Sequence, residues 1–213
     1  MTFSEFKKSV SKIEKIDLIG EKAHLEMSPK FRTNELAAID IEKRSPKMAG
    51  VMALFYPDRN ENTHLVLILR KTYKGVHSAQ IGFPGGRAEK IDKNLQETAI
   101  RETYEEVGVE PKKIMVLKEL TKIYIPPSNF WVQPFLGITE ETPKFVKQES
   151  EVEEILEISI KDFLDQSNLI EKNLSTSYAT NVNVPAFSLN GHVVWGATAM
   201  MLSEVKLMLN QVL

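Results

Sequence analysis

"FPGGRAEKIDKNLQETAIRETYEEVGV", residues 83–109, opens on a glycine pair and runs into a short amphipathic segment holding four glutamates and one arginine. Leu95, Ala99, Ile100, Thr103 and Val107 share one face at helical spacing, and Gly108 stands where a helix C-cap is expected. The pattern predicts a helix over 94–107. Positions three and four apart are neighbours on a helix, so Glu102, Glu105 and Glu106 make one acidic edge. Each close like-charge pair costs roughly 0.2–0.5 kcal/mol on an exposed helix. Charge runs usually decorate surfaces, but a divalent cation changes the sign of this repulsion. Mg²⁺ and Mn²⁺ prefer hard oxygen ligands and bridge carboxylates to substrate phosphates.

The residues around the edge favour the cation. Arg101 directly precedes Glu102, where it can orient a carboxylate, and Gly85-Gly86 let backbone approach a ligand closely. A carbonyl in that turn would add a hard oxygen. Glu89 and Glu97 read as solvated.

Outward from this segment, "AGVMALFYP" (49–57) and "HLVLILR" (64–70) read as strands joined by the turn "RNENT". "IMVLKELTKIYI" (114–125) and "FWVQPFLGIT" (130–139) read as two β-rich runs separated by Pro126–Asn129. A short helix is expected over 159–166, a hairpin turn at Asn190-Gly191, and a last helix over 197–212. Phe3, Phe6, Val10 and Ile13 mark a first helix over 3–16, followed by an irregular polar arm over 21–47. Hairpins mixed with helices predict an α+β fold with a mixed sheet.

The 213 residues fit one domain with additions, and 42% apolar with 26% charged residues is ordinary for a globular chain. A net charge of −2 gives no general attraction to nucleic acid or to an anionic membrane. With no cysteine, disulfides and thiolate metal sites are excluded. The N-terminus lacks an apolar core of signal-peptide length, and no window approaches the roughly 20 apolar residues of a membrane span. A cytoplasmic location is the expectation.

The run Gly86, Asp92, Arg101-Glu102-Thr103-Tyr104-Glu105-Glu106-Val107-Gly108-Val109 resembles the Nudix box, G-x5-E-x7-R-E-U-x-E-E-x-G-U with U aliphatic. Arg101, Glu102, Glu105, Glu106 and Gly108 match its second half at every fixed polar and glycine position. A chance match in a chain of this length is on the order of 10⁻⁴. The first half departs: Asp92 replaces Glu, with one extra residue before Arg101, and Thr103 fills an aliphatic slot.

Flanking stretches resemble the coenzyme A pyrophosphatase branch. Arg70, His77, Gln80 and Phe83-Pro84-Gly85-Gly86 fit its upstream segment, whereas Lys71, Gly75 and Ala79 stand in for its Ser, second Arg and Gly. "EVEEILEISI" (151–160) and "VVWGATAMML" (193–202) resemble its downstream runs. The resemblance implies a Nudix-like α/β/α sandwich over residues 49–213, with residues 1–48 as an N-terminal helix and arm. It implies a metal-dependent hydrolase of a pyrophosphate bond, acting on coenzyme A or an acyl-CoA to give 4′-phosphopantetheine and adenosine 3′,5′-bisphosphate.

Under it, Glu102 and Glu106 are metal ligands, with Glu105 a third or water-mediated one and the Gly85 carbonyl an extra ligand for Mg²⁺ or Mn²⁺. Arg101 pairs with a helix carboxylate. Arg70, Lys71 and Arg87, with Lys74, are candidates for the phosphate tail. Glu151 and Glu154 are candidates for a general base on a later loop. A homodimer is also implied. The competing expectations are ADP-ribose, dinucleoside polyphosphates or oxidised nucleotides as substrate, or a nucleotide sensor without catalysis. A structural adaptor whose acidic helix meets a basic partner draws little support from the glycine turn.

Overall fold

The computed structural model describes residues 1–29, 32, 36, 38–72, 79–174 and 181–213. Lys74, Gly75 and His77 lie outside the described residues.

An eight-stranded mixed sheet forms the centre: β1 (Lys47–Pro57), β2 (Thr63–Arg70), β3 (Ile81–Gly82), β4 (Gly85–Arg87), β5 (Met115–Glu119), β6 (Ile123–Ile125), β7 (Phe130–Ile138) and β8 (Val152–Ser159). β1 and β2 make the expected hairpin, with Phe55 opposite Leu65. β1 runs parallel to β7 from Lys47↔Phe130 to Phe55↔Ile138, whereas the other pairings are antiparallel.

β1 is apolar almost throughout because both of its faces are covered. Ala49, Val51, Ala53 and Phe55 enter one core cluster, while Met52, Leu54 and Tyr56 enter another, as strand alternation requires. α1 (Phe3–Val10), packing through Phe3, Phe6 and Val10, covers the first face. So does the C-terminal helix, with Leu202, Val205 and Leu209. α3 (Leu95–Val107) covers the second face through Ala99 and Val107. It comes so close that the Leu95 carbonyl stands where a Cβ on Gly50 would be. Helices on both faces of a mixed sheet give the sandwich.

Three local features differ from the sequence expectation. The first helix stops at Val10 and resumes only as a 3₁₀ turn at Ile13–Lys15. The polar arm contains a short helix, α2 (Glu21–Glu26). The run 114–125 splits into β5 and β6, both paired with β7. Pro134 of β7 sits opposite the break and has no N–H to donate to a ladder. The Leu120 N–H still reaches the Pro134 carbonyl at 2.9 Å, and the Gln133 side-chain amide donates to the Leu120 carbonyl at 2.5 Å.

α4 (Ile160–Leu164), capped by Ser159, leads to a second sheet of β9 (Leu169–Leu174), β10 (Val182–Leu189) and β11 (His192–Trp195). Asn190 and Gly191 both take positive φ, 49° and 79°, as a tight hairpin turn needs. The last helix is α5 (Gly196–Leu209). From it the fully buried Glu204 carboxylate accepts hydrogen bonds from the Gly20 N–H (3.1 Å), the Thr121 N–H (3.0 Å) and the Thr121 hydroxyl (2.6 Å). One carboxylate thus joins the N-terminal arm, the β5–β6 connection and the C-terminal helix.

Candidate active site

α3 begins where the Asn94 side chain accepts the Glu97 N–H and ends at Gly108, left-handed at φ 78°. The stripe turned to the sheet contains Ala99, Thr103 and Val107, as the spacing predicts, and also Glu106, only 1% exposed. The buried Thr103 hydroxyl donates to the Ala99 carbonyl, which leaves its methyl to pack in the aliphatic slot.

Glu106 is held by two donors. The Gly85 N–H donates to Oε2 at 2.7 Å and Arg70 Nη1 donates to Oε1 at 3.1 Å. Loss of water outweighs both and pushes this carboxyl up to about 7, with the charges of Glu102 and Glu151 adding to the rise. Burial also raises Glu102; Arg101 opposes that rise, and Glu105 and Glu151 reinforce it.

The glycine pair makes this proximity possible, though the close approach is to the protein itself. Gly85 sits at φ 151°, and a Cβ there would lie 2.5 Å from the Gly50 carbonyl and 2.6 Å from Val51 Cα. A Cβ on Gly86 would lie 2.5 Å from the Glu102 carboxylate. Gly85 therefore has no room for a side chain against β1, and a side chain on Gly86 would displace the Glu102 carboxylate.

Arg101 touches the helix carboxylates, with Nη1 donating to Glu102 (2.9 Å) and to Glu105 (3.0 Å). Its more extensive partner is Asp92. Nε and Nη2 donate to the two oxygens of Asp92 at 2.9 and 3.0 Å, and Nη2 also reaches the Arg87 carbonyl at 3.2 Å. Asp92 further accepts the Thr98 hydroxyl and the Glu89 N–H, each at 2.9 Å. Arg101 leads the causes that hold the Asp92 carboxyl far below the usual carboxylate range. Sequence reasoning gave Asp92 no such role. Only its place nine residues before an arginine hinted at one.

The predicted cations disperse. A β-bulge between Leu69 and Arg70 breaks the register with β8 where β2 ends. Arg70 there bridges Glu106 and the Gly85 carbonyl, which accepts from Nη2 at 2.6 Å. Arg87 is exposed on β4, and Lys71 is half-buried with its N–H on the Glu151 carbonyl.

The segment carrying Glu151 docks on the end of α3. The Val146 N–H donates to the Val107 carbonyl and the Gln148 N–H to the Glu106 carbonyl. Glu151 is exposed, and its charge is felt by both Glu102 and Glu106. Glu154 instead faces His192, at 3.6 Å.

The donor set suits a hard dication: three carboxylates and a carbonyl, with two of the carboxylates raised by burial and mutual repulsion. Among the described residues, no three acidic or histidine side chains are grouped closely enough to hold an ion by themselves. Mg²⁺ does not require such a group, since it keeps several waters and takes one or two carboxylates beside substrate phosphate.

The family profile described as NUDIX domain matches residues 46–176. The Nudix hydrolase NudL of Pectobacterium atrosepticum is 29% identical over 150 residues, covering 68% of this chain and 75% of that protein. The peroxisomal coenzyme A diphosphatase ndx-8 of Caenorhabditis elegans is 31% identical over 139 residues, covering 64% of this chain and 59% of its own length. The mitochondrial coenzyme A diphosphatase NUDT8 of Homo sapiens is 27% identical over 155 residues, covering 72% and 66%. Among the described residues, no helix is long and apolar enough to cross a membrane.

Proposed function

The chain belongs to the NUDIX domain family, and from that premise we propose that it hydrolyses the pyrophosphate bond of coenzyme A or an acyl-CoA in a metal-dependent reaction. The observation that supports this reading most is the gathering of Glu102 and Glu106 over the Gly85-Gly86 turn, both raised by burial and by neighbouring acids, with Glu105 linked to Glu102 through Arg101. Two relatives named as coenzyme A diphosphatases favour the substrate. On this reading the place of action is the cytoplasm, whereas the names of those relatives carry peroxisome and mitochondrion.

Glu102 and Glu106, with the Gly85 carbonyl and Glu105 beside them, would hold Mg²⁺ or Mn²⁺. When bound, the ion neutralises phosphate oxygens and lowers the pKa of an attacking water. Arg101, clamped by Asp92, fixes the Glu102 and Glu105 carboxylates. Glu151 is assigned as the proton acceptor. It is exposed, and it lies on a segment hydrogen-bonded to the end of α3. Lys71 and Arg87 bind the phosphate tail. Water oxygen bonds to one phosphorus as the bridging oxygen leaves, giving 4′-phosphopantetheine and adenosine 3′,5′-bisphosphate.

Incubation with CoA, ADP-ribose and dinucleoside polyphosphates, with Mg²⁺, with Mn²⁺ or with chelator, followed by product identification by mass, tests the proposal. CoA is expected to turn over fastest and only with metal. Faster turnover of ADP-ribose or a dinucleotide would overturn the substrate, and turnover in chelator would overturn the mechanism.

A further inference from the structure

Arg70, expected from the sequence to meet the phosphate tail, is turned to other acceptors in this structure. Its guanidinium is forked between Glu106 Oε1, at 3.1 Å, and the Gly85 carbonyl oxygen, at 2.6 Å. Those oxygens belong to two of the groups assigned to the metal. A planar guanidinium meets two such acceptors from two separate nitrogens held in a fixed fork, Nη1 on one and Nη2 on the other. The Arg70 side chain stays 24% exposed while the Glu106 side chain it meets is 2% exposed, so Arg70 is the solvent-facing member of the pair.

We propose that Arg70 and a divalent cation are alternative occupants of the Glu106–Gly85 locus, and that Arg70, when displaced, turns its guanidinium to the substrate's phosphate. The proposal rests on the metal assignment made above. Its physical content is competition. Two positive groups cannot share one carboxylate edge and one carbonyl at hydrogen-bond range without repelling each other, so the charge-assisted bonds of Arg70 are lost when the ion binds. The freed fork matches a phosphate's oxygens bidentately, and Arg70 is the last residue of β2, with its side chain 24% exposed. Arg70 would thus guard Glu106 in the metal-free enzyme and reach for substrate in the loaded one.

Mn²⁺ binding by titration calorimetry, together with melting temperature with and without Mn²⁺, tests the competition without relying on turnover. Arg70→Ala is expected to bind Mn²⁺ on the order of tenfold more tightly than wild type, the scale of a lost charge-assisted hydrogen bond. Its metal-free form should melt lower, and Mn²⁺ should raise its melting temperature by more than it raises that of wild type. If Arg70→Ala does not fold, Arg70→Gln carries the test: it keeps part of the side chain's length but has no charge to compete with the ion, so binding should still tighten severalfold. Equal or weaker Mn²⁺ affinity in the folded variant overturns the competition alone. Failure of both wild type and variant to bind Mn²⁺ overturns it together with the metal assignment. Binding by the variant but not by wild type supports it. With Mn²⁺ saturating, the variant should raise KM more than it lowers kcat; an unchanged KM overturns the hand-over to phosphate.

Discussion

Among the described residues, Glu106 and Glu204 are the glutamates buried on helices, and they are opposites. Glu106, on α3, has one backbone N–H and one guanidinium against the charges of Glu102 and Glu151, and its carboxyl is raised to about 7. Glu204, on α5, accepts two backbone N–H groups and a hydroxyl, and its carboxyl is lowered even though burial works against it. His24 Nε2 stands 3.5 Å away and is itself buried. Burial is common to the two; His24 first, then the Thr121 and Gly20 donors, lowers Glu204, whereas the like charges of Glu102 and Glu151 add to the rise of Glu106. Glu204 has what a structural carboxylate needs. Glu106 is left short beside other acids, the condition under which a carboxylate gains most from a cation.

Removing one carboxylate from each site is the sharpest way to break the comparison. Glu102→Gln, beside Glu106 on the acidic edge, should lower kcat by about 10³-fold with little change in melting, since a carboxamide fits the space but grips a cation poorly. Glu204→Ala should do the reverse. It strands buried donors from Gly20 and Thr121, and the stability loss should be about 3 kcal/mol by urea unfolding, with kcat of the folded fraction kept within about twofold. Retained turnover in Glu102→Gln would remove the distinction between the two sites.

pH should separate the two next, and in opposite windows. The folded Glu106 carboxyl is raised from 4.5 to about 7. Its contribution to stability is therefore full below pH 4.5 and is lost as pH rises through 7. Over that interval the metal-free protein should lose about 3 kcal/mol on this account. Glu204 is lowered, so its contribution is present above pH 4.5 and is lost only as pH falls below that value. Unfolding in chelator at pH 5 and pH 8 should show the first slope in wild type and not in Glu106→Gln. Mg²⁺ should restore stability at pH 8.

Asp92 offers a smaller effect. Asp92→Asn leaves Arg101 one neutral acceptor in place of a bidentate carboxylate, so Glu102 and Glu105 lose their fixed partner. A fall in kcat of about tenfold is expected, with KM for CoA nearly unchanged.

The sequence made α3 legible to within a residue, because apolar spacing and Gly108 are local signals. The split between β5 and β6 was not legible, since it follows from Pro134 on a different strand. The acidic edge was readable as a set, but its members looked alike. That Glu106 is buried whereas Glu105 is half exposed depends on where Gly85 and Gly86 lie across the sheet. The Glu204 staple was invisible. Its partners Gly20 and Thr121 are 184 and 83 residues away, and one acid in an apolar helix carries no mark of them. Arg70 was singled out as a phosphate partner, but the sequence could not reveal that it bridges Glu106 to Gly85.

The finest probe of the acidic edge is a single methyl. A Cβ at Gly86 would lie 2.5 Å from the Glu102 carboxyl carbon and 2.5 Å from Oε2, the far end of a flexible side chain. At Gly50 the obstacle would be the Leu95 backbone carbonyl, which cannot turn aside. Gly50→Ala should therefore disturb the packing of α3 on β1 and lower stability by about 1–3 kcal/mol. Gly86→Ala should leave melting within about 1 kcal/mol of wild type, because Glu102 can rotate away, but that rotation breaks its contact with Arg101 Nη1. Activity should fall several-fold, since a misplacement of about 1 Å is enough to weaken a positioned charge. Equal losses of stability and of activity in the two variants would mean that the position of Glu102 is not set by the glycine beneath it.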